Sequence, residues 1–434
     1  MRRNDADRAL AEAARTVLRG NDAGRWTVPS PAQYPHQWNW DSAFVSLGWA
    51  TFDWPRATVE IESMLGARWR EGMVPHLRYD PAHTAHYFPG PDRWPRARYH
   101  VADPEQLTSG ISNPPMLVCA AHRVGRRQPV KDRRLEFWRR NYRALHAYVE
   151  YLGRRRALPG SPLVAMVHPW ESGWDNSPRW DGLGGRGLRP ARPYARLDTL
   201  HVDASDRPRD RDYDTYLSLV ELLDGCDYDV GAYSARSPFL VYDVLVDALW
   251  YAAAIALNDI AAELDLRPAV SGGRLSAFAA AFEETHWDAE KELYVDWDRV
   301  GGRRIARPTA AGLAALAGGV ARPDRARLAW SRYRRLSSGL RPVCTVPPGD
   351  PAFDRRRYWR GPVWVSANWL VAEGLELAGL PGDAAGLREE TVELVRSGGF
   401  AEYFDPVDGS PRGSRPFSWS AALVLDLLDR RSPP

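Results

Sequence analysis

Two kinds of helix-forming segment alternate along this chain of 434 residues, and that alternation restricts the fold more than any other feature. Segments 238–257 (PFLVYDVLVDALWYAAAIAL) and 363–379 (VWVSANWLVAEGLELAG) are apolar nearly all round, as helices enclosed by other helices must be. Segments 322–336 and 383–397 carry one apolar stripe and a charged face, which suits an outer layer. Apolar spacing predicts helices over 5–19, 41–53, 56–70, 114–124, 130–155, 212–224, 238–264, 271–286, 308–318, 322–336, 363–379, 383–397 and 417–430, whereas runs of strict alternation are short and scattered. That makes about six hairpins plus an extra helix, all-α. Short connections make neighbours antiparallel, so inner and outer helices can close into a ring as one domain spanning 1–434.

Several inner-type helices are expected to carry a proline in the first turn, at Asn113-Pro114, Ser237-Pro238, Gly361-Pro362 and Arg415-Pro416. In an alternating ring the starts of all inner helices face one mouth, so residues just before them converge there. A pocket at that mouth feels the positive ends of the helices. The long non-helical stretches 71–113 and 159–211 are rich in Pro, Arg, Trp and Tyr and read as loop insertions walling the mouth.

Composition narrows the function. The chain is 44% hydrophobic and 26% charged, a globular balance. Fifty-eight basic against 55 acidic residues give a net charge of only +3, and no stripe of Arg alternates with stacking aromatics, so nucleic acid is not an expected partner. Cys119, Cys226 and Cys344 are far apart and fall in no metal-ligand pattern; free thiols are expected. The first twenty residues are amphipathic and charged without an apolar core or a small-residue cleavage site, and no run of eighteen apolar residues follows. A cytoplasmic protein without a membrane partner is expected, and a homo-oligomer is left open.

Four aromatic strings carry the chemistry. Gln37-Trp38-Asn39-Trp40-Asp41-Ser42 sets two tryptophans before an Asp-Ser pair. Asp41 either caps the next helix or, with flat indoles beside it, binds the hydroxyls of a pyranose whose C–H faces stack on Trp38 and Trp40. His168 to Asp181 holds three acids, Glu171, Asp175 and Asp181, and three tryptophans, of which Trp174 is a candidate substrate-binding residue. A carboxyl hemmed in by indoles is desolvated and stays protonated, as a general acid requires; a salt bridge to Arg179 is the rival reading. In Phe400-Ala401-Glu402-Tyr403-Phe404 a strand-like run aims Glu402 away from its aromatic neighbours, into a cavity or into solvent, and Trp419 follows at the start of the last helix. Tyr358-Trp359-Arg360-Gly361-Pro362 precedes another inner helix; Trp359 and Arg360 are placed for the mouth, whereas Trp364 and Trp369 read as core.

Taken together and in order, Trp38-Asn39-Trp40-Asp41-Ser42, Glu171-Ser172-Gly173-Trp174-Asp175-Asn176-Ser177, Tyr358-Trp359-Arg360-Gly361-Pro362 and Glu402-Tyr403-Phe404 resemble glycoside hydrolase family 63, nearest to its bacterial mannosylglycerate and glucosylglycerate hydrolases. The resemblance implies an (α/α)6 barrel with long aromatic loops at one mouth, an inverting hydrolysis of O-glycosyl bonds, and no metal or other cofactor. It implies Asp175 as general acid and Glu402 as general base, with Trp40, Asp41, Tyr358, Trp359 and Trp364 lining the sugar subsite. By the same resemblance Arg207 and Tyr213, in Arg-Pro-Arg-Asp-Arg-Asp-Tyr, grip the carboxylate of the aglycone, and His76 and Tyr87 are retained loop ligands. Asn113 stands before a Pro-Pro pair where those relatives have Gln, one methylene longer.

The expected partner is a small carbohydrate, a glucoside or mannoside with glucosylglycerate and mannosylglycerate as candidates. Alternatives are another α-glucoside or oligosaccharide, a trehalase-like disaccharide, or a sugar-binding toroid without catalysis. The presence of both carboxyls argues against the last. An epimerase would need histidine pairs, and the aromatic motifs hold none.

Overall fold

In the computed structural model, residues 2–183, 187–338, 340 and 342–430 are described, 2–4 as backbone only. Among them are fourteen α-helices: α1 (Arg2–Gly20), α2 (Asn39–Trp49), α3 (Trp54–Gly66), α4 (Met116–Arg127), α5 (Lys131–Arg155), α6 (Asp210–Gly225), α7 (Val230–Ser234), α8 (Val244–Glu263), α9 (Gly272–His286), α10 (Ala311–Ala314), α11 (Pro323–Leu336), α12 (Val365–Leu377), α13 (Pro381–Gly398) and α14 (Ser418–Asp429).

Six of these form the inner ring. α2 packs on α4, α4 on α8, α8 on the 3-10 turn Ala315–Gly318 that continues α10, that turn on α12, α12 on α14, and α14 back on α2. Every residue of α2 is buried, as are nearly all of α12 and α14, which explains why these helices have no polar face. Closure between α14 and α2 needs near-contact of backbones: a Cβ on Gly48 would stand 2.4 Å from the Cα of Ala422. The outer helices α1, α3, α5, α9, α11 and α13 each lie against inner neighbours. The result is the expected (α/α)6 barrel, with α6 as the extra helix. α8 is long and apolar enough to span a membrane by composition alone, but most of it is enclosed by the ring.

The prolines expected inside first turns stand before the helices instead. α4 starts two residues after Pro114, α12 three after Pro362, α14 two after Pro416 and α8 six after Pro238. The delay at α8 has a physical cause. Val241–Tyr242 pairs with Ala165–Met166 on one side and Asp296–Asp298 on the other, in a four-stranded antiparallel sheet completed by Arg303–Ile305. Asp243 then caps α8, accepting from the N–H groups of Leu245 and Val246.

The two long stretches fold over the mouth mainly as loops, turns and short 3-10 segments, the first pinned by antiparallel pairing of Leu77–Arg78 with Gln37–Trp38 and the second by that of Ala165–Met166 with Val241–Tyr242. Residues 184–186 of the second stretch lie outside the described residues.

Candidate active site

The starts of α2, α4, α12 and α14 converge with both long loops on one pocket. Trp38, Trp40, Asp41, His76, Tyr87, Asn113, Asp175, Arg207, Tyr213, Tyr358, Trp359, Glu402 and Trp419 all line it. Two expected residues do not. Trp174 and Trp364 are fully buried behind Trp359, stacked on its two faces at centroid distances of 4.6 and 3.7 Å. Trp364 belongs to the packing behind Trp359 rather than to the pocket wall.

The three acids of the His168–Asp181 string part company. Glu171 is buried and saturated: Arg156 reaches it with two guanidinium nitrogens at 2.7 and 3.0 Å, and the N–H groups of Ser112 and Val167 complete its shell. Asp181 pairs with Arg360, which also holds the carbonyl of Asn176, so Arg360 anchors the loop and does not reach this pocket. Arg179 pairs with Asp243 and Asp296 at 2.7 and 2.9 Å and not with Asp175, which removes the salt-bridge alternative. Asp175 alone faces the pocket. A left-handed turn at Gly173 ends the 3-10 segment Pro169–Ser172, and the hydroxyl of Tyr216 on α6 binds the Asp175 carbonyl at 2.9 Å. Burial pushes the Asp175 carboxyl up to about 7, against the pull of Arg207 and its own amide, while Glu402 and Asp198 push the same way as burial.

Glu402 is 1% exposed and is held differently. Its Oε1 accepts from the Tyr34 hydroxyl at 2.8 Å and lies 3.6 Å from Nη1 of Arg207; its Oε2 accepts from the Ser414 N–H at 2.9 Å. Burial raises this carboxyl, and Arg207, the Ser414 amide and the hydroxyls of Tyr34 and Tyr358 all oppose it. The fit is tight: a Cβ on Gly413, at φ +68°, would stand 2.4 Å from Oε2.

Asp41 lies in the first turn of α2 rather than at its cap, which is Trp38. Burial and the charge of Glu402 hold its carboxyl well above the ordinary range. Ser42, its partner in the expected cap, instead donates to Glu60 at 2.6 Å. His76 is likewise kept neutral by burial, down to about 3.

Arg207 is 4% exposed, so it is no solvated arginine. Its Nε binds Asp198 at 3.1 Å, its Nη1 donates to Tyr34 at 2.6 Å, and its guanidinium lies over Tyr358 at 4.5 Å. Tyr34 and Asp198 were not singled out from the sequence, nor was Trp170, which lines the pocket beside His76. Their only sequence signal is that Trp170 is one of the three tryptophans of the His168–Asp181 string and that Tyr34 lies three residues before the string that opens at Gln37. Three polar atoms around the pocket are buried without a protein partner: Nε1 of Trp40, Nε1 of Trp359 and Oδ1 of Asn113. Such groups suit the hydroxyls of a sugar. Among the described residues no group of three or more His, Cys, Asp or Glu is arranged to hold a metal.

Similarity to known proteins agrees with this geometry. The profile of the mannosylglycerate hydrolase MGH1-like glycoside hydrolase domain matches residues 34–420. Over 419 residues the chain is 38% identical to the mannosylglycerate hydrolase of Thermus thermophilus, covering 94% of this chain and 98% of that one. It is 35% identical over 439 residues to the glucosylglycerate hydrolase of Mycolicibacterium hassiacum, covering 96% and 97%. The crystal structure of the family 63 mannosylglycerate hydrolase from Thermus thermophilus in complex with Tris and D-glycerate superposes with a TM-score of 0.89 at 38% identity, covering 96% of this chain and 99% of that one. The chain is therefore a glycoside hydrolase, and it belongs to the mannosylglycerate hydrolase MGH1-like group of glycoside hydrolase family 63.

Proposed function

We propose that this chain hydrolyses an α-glycoside of glycerate, glucosylglycerate or mannosylglycerate, with inversion of the anomeric centre. The observation that carries the mechanism is the unequal treatment of two carboxyls in one pocket. Asp175 is raised to about 7 with few groups stabilising its charge, so near neutrality it holds a proton to give to the departing glycosidic oxygen. Burial raises Glu402 as well, but a guanidinium, an N–H and two hydroxyls around it oppose that rise and favour the ionised form that accepts a proton from water. Water attacks the anomeric carbon from the face opposite the leaving group, its proton passes to Glu402, and the glycosidic C–O bond breaks as Asp175 protonates the oxygen. In inverting enzymes the two carboxyls stand ~6.5–9.5 Å apart to admit that water.

Trp40, Asp41, Tyr358, Trp359 and Trp419 form the wall for the sugar, with Trp38 beside them. Arg207, Tyr213, Tyr87, His76 and Asn113 form the aglycone side. A buried guanidinium on that side supports an anionic aglycone, and so do the relatives named for mannosylglycerate and glucosylglycerate. A second reading, a neutral aglycone, is favoured by Asn113: it is shorter than the Gln of the family pattern, and its Nδ2 is already committed to the carbonyl of Trp170. We assign the whole chain to one catalytic domain, which the closure of the ring by α14 on α2 supports. Cytoplasmic residence is supported by three free cysteines.

Turnover of mannosylglycerate, glucosylglycerate, trehalose and neutral aryl α-glycosides by wild type, Asp175→Asn and Glu402→Gln tests the reading. The glycerate conjugates should be preferred and each variant should lose ~10²–10⁴-fold with its melting transition retained. Preference for a neutral substrate rejects the aglycone assignment. A variant at wild-type rate rejects the role of that residue.

A further inference from the structure

Four aromatic rings lie in a continuous pile behind the pocket. Trp174 stacks on Trp359 with centroids 4.6 Å apart and planes 18° from parallel, Trp359 on Trp364 at 3.7 Å and 5°, and Trp364 on Tyr403 at 4.6 Å and 27°. The pile has informative ends: Trp174 directly precedes Asp175, and Tyr403 directly follows Glu402.

Its members are also pinned at their edges. Trp364 donates from Nε1 to the carbonyl of Tyr358 at 2.9 Å, and the Trp359 N–H binds Asn176 Oδ1 at 3.0 Å. Trp180 donates to the carbonyl of Trp174 at 3.1 Å, and the Tyr403 hydroxyl to the carbonyl of Asp206 at 2.8 Å. The strand bearing Tyr403 is tied to the start of α12 by the exchange of N–H and carbonyl between Val363 and Phe404 at 2.8 and 2.9 Å. Rings at van der Waals contact cannot be pressed closer, and close-packed interiors transmit displacement rather than absorb it.

We propose that the Trp174–Trp359–Trp364–Tyr403 pile is the spacer that sets the separation of the Asp175 and Glu402 carboxyls, with Trp364 as its central positioning residue. This rests on the assignment of those two carboxyls as acid and base. The acid is carried by a loop and the base by the bend just before the two-residue strand Tyr403–Phe404, and neither element is long enough to fix a distance by itself. Trp364 touches no substrate, being fully buried outside the pocket wall, so its effect passes through the rings on either side. The gap must admit one water, and misplacement of reacting groups by about 1 Å costs on the order of 10²-fold in rate.

The test compares Trp364→Leu, Trp364→Phe and Trp250→Leu in the full chain with mannosylglycerate and glucosylglycerate as substrates. Trp250 is a fully buried tryptophan of α8 that bonds the Val149 carbonyl and packs on Phe278, away from the pocket, so it controls for loss of stability alone. Trp364→Leu should lower kcat at least ~30-fold with KM within about threefold, Trp364→Phe should recover most of the loss by restoring a flat ring, and Trp250→Leu should keep kcat within about threefold at a similar fall in Tm. Crystal structures of wild type and Trp364→Leu should show the carboxyl separation changed by about 0.5 Å or more. If Trp364→Leu does not fold, Trp174→Leu breaks the pile next to Asp175 and carries the same expectation. Unchanged kcat, a loss matched by Trp250→Leu, failure of Trp364→Phe to recover, or an unchanged separation would each overturn the spacer. Slow Asp175→Asn and Glu402→Gln variants beside a fully active Trp364→Leu would reject the pile alone. Full activity in either carboxyl variant would remove the acid–base pair and the spacer with it.

Discussion

Replacing Tyr34 by Phe removes one oxygen, and its consequence can be worked from the geometry. The hydroxyl donates to Glu402 Oε1 at 2.8 Å and accepts from Arg207 Nη1 at 2.6 Å, so it stabilises the ionised carboxylate and relays the guanidinium to it. Hydrogen bonds to charged groups contribute ~1.5–3 kcal/mol, and a tenfold change in ionisation corresponds to roughly 1.4 kcal/mol. Arg207 remains 3.6 Å from Glu402, which favours the low end of that range. Glu402 is already raised by burial, and the loss of a group that lowers it raises it further. The acidic limb of kcat/KM, which reports ionisation of the base, should therefore move up by about one pH unit. The alkaline limb, set by Asp175 at about 7, should stay. The two limbs belong to the interacting pair, so both are read together. Initial rates from pH 4 to 9 on the glycerate conjugates measure the profile. The bell should narrow from its acidic side and its maximum should fall. An acidic limb that stays in place, or moves down, refutes the linkage of Tyr34 to the base.

Three further outcomes are expected. Arg207→Ala should raise KM for glycerate conjugates ~10–100-fold, the value of charge-assisted bonds. It should also lower kcat on neutral aryl α-glycosides, because the guanidinium flanks Glu402; effects confined to KM would show that it serves the aglycone alone. Gly413→Ala should lower kcat and Tm together, since the left-handed backbone costs ~1–2 kcal/mol for any other residue and the new methyl would meet the Glu402 carboxylate; unchanged kcat would show that the base has room to move. Asp175→Asn should stabilise the protein. With a folded value near 7 against an ordinary 3.8, the native state binds a proton that the unfolded chain has lost between those values, so wild-type stability falls as pH rises from 4 to 7. The variant's advantage, up to about 4 kcal/mol, should grow over that window and then level off; a constant difference in Tm across pH would contradict the shift.

The ring was legible in the sequence because enclosed helices leave a mark that outer ones do not. The segments within 238–264 and 363–379 have no polar face, and the structure places both in the inner ring. Helix starts were less legible. Strands of two residues such as Val241–Tyr242 are too short to show alternation, so the sequence extended α8 back to Pro238. At the pocket, tryptophans flanking an acid marked the strings of Asp41 and Asp175, and the structure brings Glu402 to the same cavity. Tyr34 and Asp198 escaped notice because their role depends on Arg207, distant from Tyr34 in sequence, and Asp198 looked like one acid in an Arg-rich loop. Trp364 reads as core from its place inside an apolar helix segment, and the structure buries it; only the family resemblance had set it in the pocket wall.

The direct test of the account is the configuration of the sugar first released. Proton NMR of a fresh digest, recorded before mutarotation, should show the β-anomer from an α-glycoside, as the proposed roles require: Glu402 directing water to the face opposite the bond that Asp175 protonates. The α-anomer as first product would contradict the assignment of this pair as the acid and base of an inverting hydrolase.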